Sequence, residues 1–193
     1  MIKYGRNEYR LDIKKSLMNK SLSYLSKFSS TENKLNSILH SFSEKYLKNV
    51  NRQQLSKEIA VVIQKCKDHG YIDDKKFTEN KIDKYINLGK SKKYIIFNLK
   101  NYGINNSIIE ECLDDFFNSK IDNNIKAAII FARKKSIGPF YKKPIGSSHE
   151  KLFNKWFSSF ARAGFNYDIS KKVLNFESSF DAENFLCNID NKI

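Results

Sequence analysis

Apolar residues recur along this chain at intervals of three and four. Ile108, Ile109, Cys112, Leu113, Phe116 and Phe117 form one stripe with a 3.6-residue period. Ile95, Leu99 and Tyr102 repeat it, and so do Leu22, Leu25 and Phe28. No stretch sustains a period of two. The pattern predicts helices and no sheet.

The polar positions mark where those helices begin and end. Ser29 with Glu32 reads as a capping box. Asp73 reads as an N-cap, with Ile72 and Phe77 spaced as a hydrophobic staple, and Asn105 as another, flanked by Ile104 and Ile109. Gly70, Gly103 and Gly164 each end a helical pattern, where a positive φ closes the last turn. Nine helices follow, at about 16–28, 30–48, 53–69, 73–88, 91–102, 105–118, 122–137, 148–164 and 166–176.

One phrase occurs twice. NYGINNSIIEECL (101–113) and RAGFNYDISKKVL (162–174) align without a gap. They share glycine (Gly103, Gly164), asparagine (Asn105, Asn166), isoleucine (Ile108, Ile169) and leucine (Leu113, Leu174). The phrase encodes a corner: glycine closes one helix and asparagine caps the next. Taken in threes, the helices give modules at 16–70, 73–118 and 122–176, after an N-terminal extension, 1–15, and before an acidic tail, 177–193. A three-helix unit buries little by itself, so neighbouring modules are expected to support one another. The expected fold class is all-α, with tandem three-helix modules in an elongated, curved arrangement.

Composition narrows the function. A chain of 193 residues buries roughly 70% of its unfolded surface, enough for a core without disulfides or metals. Cys66, Cys112 and Cys187 are far apart, odd in number and set among apolar neighbours, which suits buried, reduced thiols. The longest apolar run, AAIIFA (127–132), is far below the roughly 18 residues of a membrane helix. A cytoplasmic protein without membrane contact is expected.

The net charge of +14 points to polyanionic partners. Residues 1–72 hold 14 Lys/Arg against 6 Asp/Glu, residues 73–118 hold 8 against 8, and residues 119–176 hold 12 against 3. The tail holds 1 against 4. Two basic flanks thus enclose a neutral middle.

Three clusters carry candidate chemistry. Lys90, Lys92 and Lys93 precede a helix whose dipole they oppose, a small cost that a phosphate would offset. Arg133, Lys134 and Lys135 end another helix and lead into GPFYKKPIGSS (138–148), where Lys142 and Lys143 follow Phe140 and Tyr141. Aromatic rings among lysines suit single-stranded nucleic acid, since bases stack and phosphates pair. Arg162 fits either that face or a helix C-terminus. Glu110, Glu111, Asp114 and Asp115 share one helix face. They read as a solvated side, with contact to a protein partner as the functional alternative. Trp156, Phe153, Phe157 and Phe160 have helical spacing and read as core. His40, His69 and His149 are dispersed, and no phosphate-binding loop, nucleophile elbow or metal pattern occurs. No catalytic residue, metal or cofactor is expected, and the chain reads as a non-enzyme.

Longer motifs add a resemblance. HGYIDDKKFTENKI (69–82), KSKKYIIFNLKNYGINNSIIEECL (90–113) and ARAGFNYDISKKVL (161–174) resemble RecX-type regulators of the RecA recombinase in content, order and spacing. FARKKSIGPF (131–140) and LSYLSKFSSTENKL (22–35) fit as well. The resemblance spans about residues 20–176. It implies three tandem three-helix units and binding along the groove of a RecA–DNA filament. Filament growth would be blocked or disassembly promoted, lowering strand exchange, ATP hydrolysis and co-protease activity. The implied partners are the RecA filament and single-stranded DNA, the latter weakly or only within the filament; the chain would act as a monomer. One departure stands out: 30 of the 35 basic residues are Lys, so bidentate contacts are few. On charge alone, a basic helical DNA-binding protein acting without RecA is the alternative.

Overall fold

The computed structural model of the protein describes residues 6–48, 50–117, 122–144 and 149–190. Among them are ten α-helices, one short 3-10 helix and no strand. In chain order the helices are α1 (Arg6–Leu25), α2 (Glu32–Tyr46), α3 (Arg52–Asp68), α4 (Asp74–Asn87) and α5 (Lys92–Asn101). Then come α6 (Asn106–Phe117), α7 (Asp122–Lys135), the 3-10 turn Gly138–Phe140, α8 (His149–Ala163), α9 (Tyr167–Leu174) and α10 (Ser179–Asp190).

All nine expected helices are present, with two differences. α1 begins at Arg6, about three turns earlier than its apolar pattern indicates. The tenth helix, α10, lies in the segment read as an acidic tail. It buries Ala182, Leu186 and Ile189 at i, i+4 and i+7, and Ser178 caps it by accepting from the Asp181 N–H at 3.2 Å. Four acidic residues hid that short stripe. Cys187 sits on its exposed side, so only Cys66 and Cys112 are the buried thiols expected.

The chain forms two compact units, residues 1–77 with 102–104, and residues 78–101 with 105–193. In the first, α1, α2 and α3 pack on one another around Leu17, Leu35, Leu39, Ile59 and Cys66. In the second, α7 is central, packing on α6, α9, α10 and the 3-10 turn. Ala127, Ala128, Ile129, Ile130 and Ala132 are buried on several sides of it, which explains why AAIIFA shows no polar face. Phe131, Phe160 and Phe165 meet beside them at centroid distances of 5.2–5.6 Å. Trp156 and Phe160 are core, as expected; each such ring stabilises by about 1.5–3 kcal/mol.

The repeated phrase builds the expected corner. Gly103 (φ +73°) and Gly164 (φ +86°) end α5 and α8, and Ile104 and Phe165 are buried under the turns. Asn105 and Asn166 cap α6 and α9 by accepting N–H bonds from Ser107 at 3.1 Å and Ile169 at 2.9 Å. Each corner also docks on another helix. In the first unit, the Thr31 hydroxyl accepts from the Lys34 N–H at 3.1 Å, capping α2, and donates to the Tyr102 carbonyl at 2.9 Å. In the second, the Ser91 hydroxyl accepts from the Tyr94 N–H at 3.3 Å, capping α5, and donates to the Ala163 carbonyl at 2.6 Å. The two hydroxyl residues are 1% and 2% exposed. The cap of α2 is thus Thr31 rather than Ser29, because Thr31 alone bonds both ways.

The joints require glycine at the next position. A Cβ on Gly103 would collide with the Asn33 side chain, and one on Gly164 would lie 2.8 Å from Ser91 Oγ and 3.2 Å from Lys93 Cβ. The first joint is acidic. Asp74 Oδ1 accepts from the Glu32 N–H at 2.9 Å, and Glu32 pairs with Lys67 at 2.8 Å. Phe77 sets its edge on the Tyr102 ring at 5.4 Å.

Two outcomes follow. Gly164→Ala should cost about 1–2 kcal/mol through its left-handed backbone, plus the cost of the collision. Gly70→Ala has the same backbone strain but open space, so it should lower the melting temperature less. Equal losses would reject the close approach. The second concerns pH. Burial, chiefly, holds the Asp74 carboxyl above its ordinary range, against the opposing pull of the Glu32 N–H bond. A raised carboxyl stabilises the fold most when protonated, below its unfolded value, and that stability is lost as pH rises through the folded value. Asp74→Asn keeps an accepting oxygen and does not ionise. Its melting temperature should therefore fall less than the wild type's between the acid range and neutrality; parallel curves would reject the assignment.

Candidate polyanion interface

The first N–H groups of a helix carry partial positive charge and suit acidic neighbours. α2 has them in Glu32 and Asp74. α5, capped by the same kind of joint, carries Lys92 and Lys93 there instead. Lys92 is half-buried with its Nζ 5.4 Å over the Phe117 ring, and Lys93 is exposed. Lys90, one residue before the cap, holds its Nζ 4.6 Å over the Tyr94 ring.

The turn at 88–93 gathers cations from elsewhere in the second unit. Lys134, in the last turn of α7, donates from Nζ to the Leu88 carbonyl at 3.1 Å. A Cβ on Gly89 would lie 2.8 Å from the Phe131 nitrogen, so α7 meets the turn directly. The Ser91 bond to Ala163 fixes the last turn of α8 beside it, and Arg162 is the exposed preceding residue. Lys90, Lys92, Lys93, Lys134 and Arg162 are thereby brought to one small region by four elements. Within it is an open pocket of about 380 Å³ lined by Ser91, Lys92, Lys93, Asn124, Gly164 and Asn166, among others. Amide donors and lysines of this kind suit phosphate oxygens.

The other sequence candidates lie apart or are otherwise engaged. Arg133 forms a two-pronged ion pair with Glu183 of α10, at 3.0 and 3.1 Å. Its surface exposure, 48% against 38% for the partner, keeps that pair in the range of about 0–1 kcal/mol. Lys135 is exposed at the helix end. The loop after α7 is not the open aromatic loop that its composition suggests. Tyr141 packs edge-on against Trp156 at 5.3 Å and Phe140 is half-buried, leaving Lys142 and Lys143 outward. Residues 145–148 lie outside the described residues.

Glu110, Glu111, Asp114 and Asp115 are exposed on α6, opposite buried Ile109, Cys112 and Leu113. Among the described residues no three His, Cys, Asp or Glu side chains are grouped to hold a metal ion. No described helix is long and apolar enough to cross a membrane. Burial pushes the Cys66 thiol above its ordinary value, against a hydrogen bond from Ser21.

One surface residue escaped the sequence reading. Phe97 is 63% exposed on α5, between Lys93 and Lys100 at i−4 and i+3. The signal was a phenylalanine on the charged side of the stripe defined by Ile95 and Leu99.

No protein-family model matches the chain. A regulatory protein RecX from Myxococcus xanthus is 26% identical over 161 residues, covering 82% of this chain and 84% of the relative. One from Agrobacterium fabrum is 32% identical over 103 residues, covering 53% and 51%. One from Clostridioides difficile is 29% identical over 164 residues, covering 84% and 68%. The crystal structure of RecX from Lactobacillus salivarius matches with a TM-score of 0.64 at 24% identity, over 85% of this chain and 96% of that one. That likeness supports the all-helical fold, and the three relatives carry the sequence match. Motifs, relatives and fold agree: the chain is similar in sequence to RecX regulatory proteins and has the all-helical fold of one of them.

Proposed function

We propose that this chain is a negative regulator of RecA. It binds the RecA–DNA filament and inhibits its growth or promotes its disassembly, lowering strand exchange, ATP hydrolysis and co-protease activity. The observation that carries this reading is the convergence of Lys90, Lys92, Lys93, Lys134 and Arg162 on the 88–93 turn. A filament wrapped around DNA presents phosphates, and a cationic turn on a rigid helical scaffold can sit against them. Lysines act there as point charges, so they position the protein without reading base sequence. Lys142 and Lys143 add a further exposed basic pair after α7, and the α6 carboxylates offer a separate face for basic protein surface. The protein acts by occupancy and as a monomer.

DNA-dependent ATP hydrolysis by RecA should fall at substoichiometric amounts of the protein. No inhibition at a large molar excess would sink the reading. The double variant Lys92→Glu and Lys93→Glu should weaken that inhibition while stabilising the fold by about 0.3–1 kcal/mol, because carboxylates suit a helix start. Full inhibition by a correctly folded double variant would reject the site while leaving the regulator intact.

A further inference from the structure

Aligned on their glycines, α5 and α8 carry different side chains on the corresponding face. Ile96 and Phe157 both stand seven residues before the glycine, and Lys92 and Phe153 both stand eleven before it. On α5 this face lines the open pocket of about 380 Å³ with Gly164, Phe165, Asn166 and Ile169 of the following corner. On α8 it lines an open groove of about 460 Å³ with α9. On α8 the face is aromatic.

Its rings are ordered. Phe157 and Tyr167 lie parallel, 13° apart in plane with centroids at 5.0 Å, and Tyr167 is 63% exposed. Phe153 sets its edge on Phe157 at 5.1 Å and is stacked by His149 at 5.9 Å. Asn154, Ser158 and Ser170 supply hydroxyl and amide groups along the groove. Lys151 and Lys155 are exposed on α8 beside Asn154 and Ser158, and Lys171 stands one turn beyond Tyr167. From 149 to 174 the segment holds five cations against Glu150 and Asp168.

We infer that the α8–α9 groove takes the bases of a single-stranded nucleic acid, packed over the Phe153, Phe157 and Tyr167 cluster with the exposed Tyr167 foremost, and with phosphates toward Lys151, Lys155 and Lys171. Flat rings in a shallow groove fit unpaired bases, whose faces a duplex hides, and the flanking charge fits their phosphates. A polypeptide would gain nothing from lysines along the Asn154 and Ser158 edge of the groove unless it were acidic. The inference deepens the proposed function by naming a DNA contact away from the 88–93 turn, and its test runs without RecA.

Fluorescence anisotropy should follow a labelled oligo(dT) and a duplex of equal length with the full chain. The wild type should prefer the single strand. Tyr167→Leu should weaken single-strand binding about tenfold, the size of one lost stacking contact, and leave duplex binding unchanged. Tyr167→Phe should retain the affinity. Phe153→Leu offers a second variant, and circular dichroism checks that each folds. Unchanged oligo(dT) affinity in both leucine variants would overturn the inference, as would no single-strand preference in the wild type. Retained oligo(dT) binding with lost capture on RecA filaments would make the groove a protein site and overturn it too. RecA inhibition that survives such a result leaves the regulatory reading standing.

Discussion

The structure depends on one hydroxyl doing two things at the start of a helix. A serine or threonine cap must accept from the helix's own N–H groups, which leaves its O–H free to donate. The last carbonyls of another helix lack partners. Thr31 and Ser91 join those needs, each tying a helix start to the carbonyl just before a corner glycine. Both hydroxyls are buried, where an unmade bond costs about 1–3 kcal/mol, so the joint must close completely. The approach leaves no room for a Cβ on the next residue, and the turn there already needs a positive φ. Glycine answers both demands.

Identical joints then carry opposite charge. Glu32, Asp74 and Lys67 around the first form a nearly balanced network in which carboxylates favour the start of α2. The second places Lys92 and Lys93 at the start of α5 without a described ion pair. A like-charged helix end is a small standing cost of about 0.3–1 kcal/mol. It is tolerable because Ser91, its carbonyl partner and the buried Ile95 and Leu99 hold α5 regardless. An anion removes the cost, so the second joint gains from a ligand that the first has no use for.

The corners were legible because every signal in them is local: glycine, asparagine and the apolar stripe lie within one phrase. The joints were not. Thr31 and Tyr102 are 71 residues apart, and Ser91 and Ala163 are 72 apart, so neither partner marks the other. Lys90, Lys92 and Lys93 could be read as a cluster, and Arg162 as an undecided cation, but only the joint brings them together. Arg133 was equally visible, yet its Glu183 partner lies 50 residues away in a helix hidden by its own acidity. The aromatic series on α8 was half legible. Spacing identified Trp156 and Phe160 as core, but it could not reveal that Phe153 and Phe157 line an open groove with Tyr167.

The 88–93 turn separates folding from charge. Three contacts fix it: the Ser91 bond, the approach of Gly89 to Phe131, and the Lys134 bond to Leu88. Two of these involve no ionised group, and the third uses the charge of Lys134 on a backbone carbonyl. Lys90 and Lys92 are steadied by rings beneath them, at 4.6 and 5.4 Å, while the stem of Lys93 lies against Gly164. Long stems packed on apolar surface keep their charged ends outward. The lysine charge can therefore change without undoing the scaffold, and the scaffold holds those charges close enough to act on one phosphate backbone. A polyanion on a surface built this way would be held by field strength and position, so its grip would weaken as salt screens it. The α8–α9 groove rests on stacking, which salt screens far less. In the proposed reading the two surfaces would divide one partner between them, backbone charge at the turn and base faces at the groove.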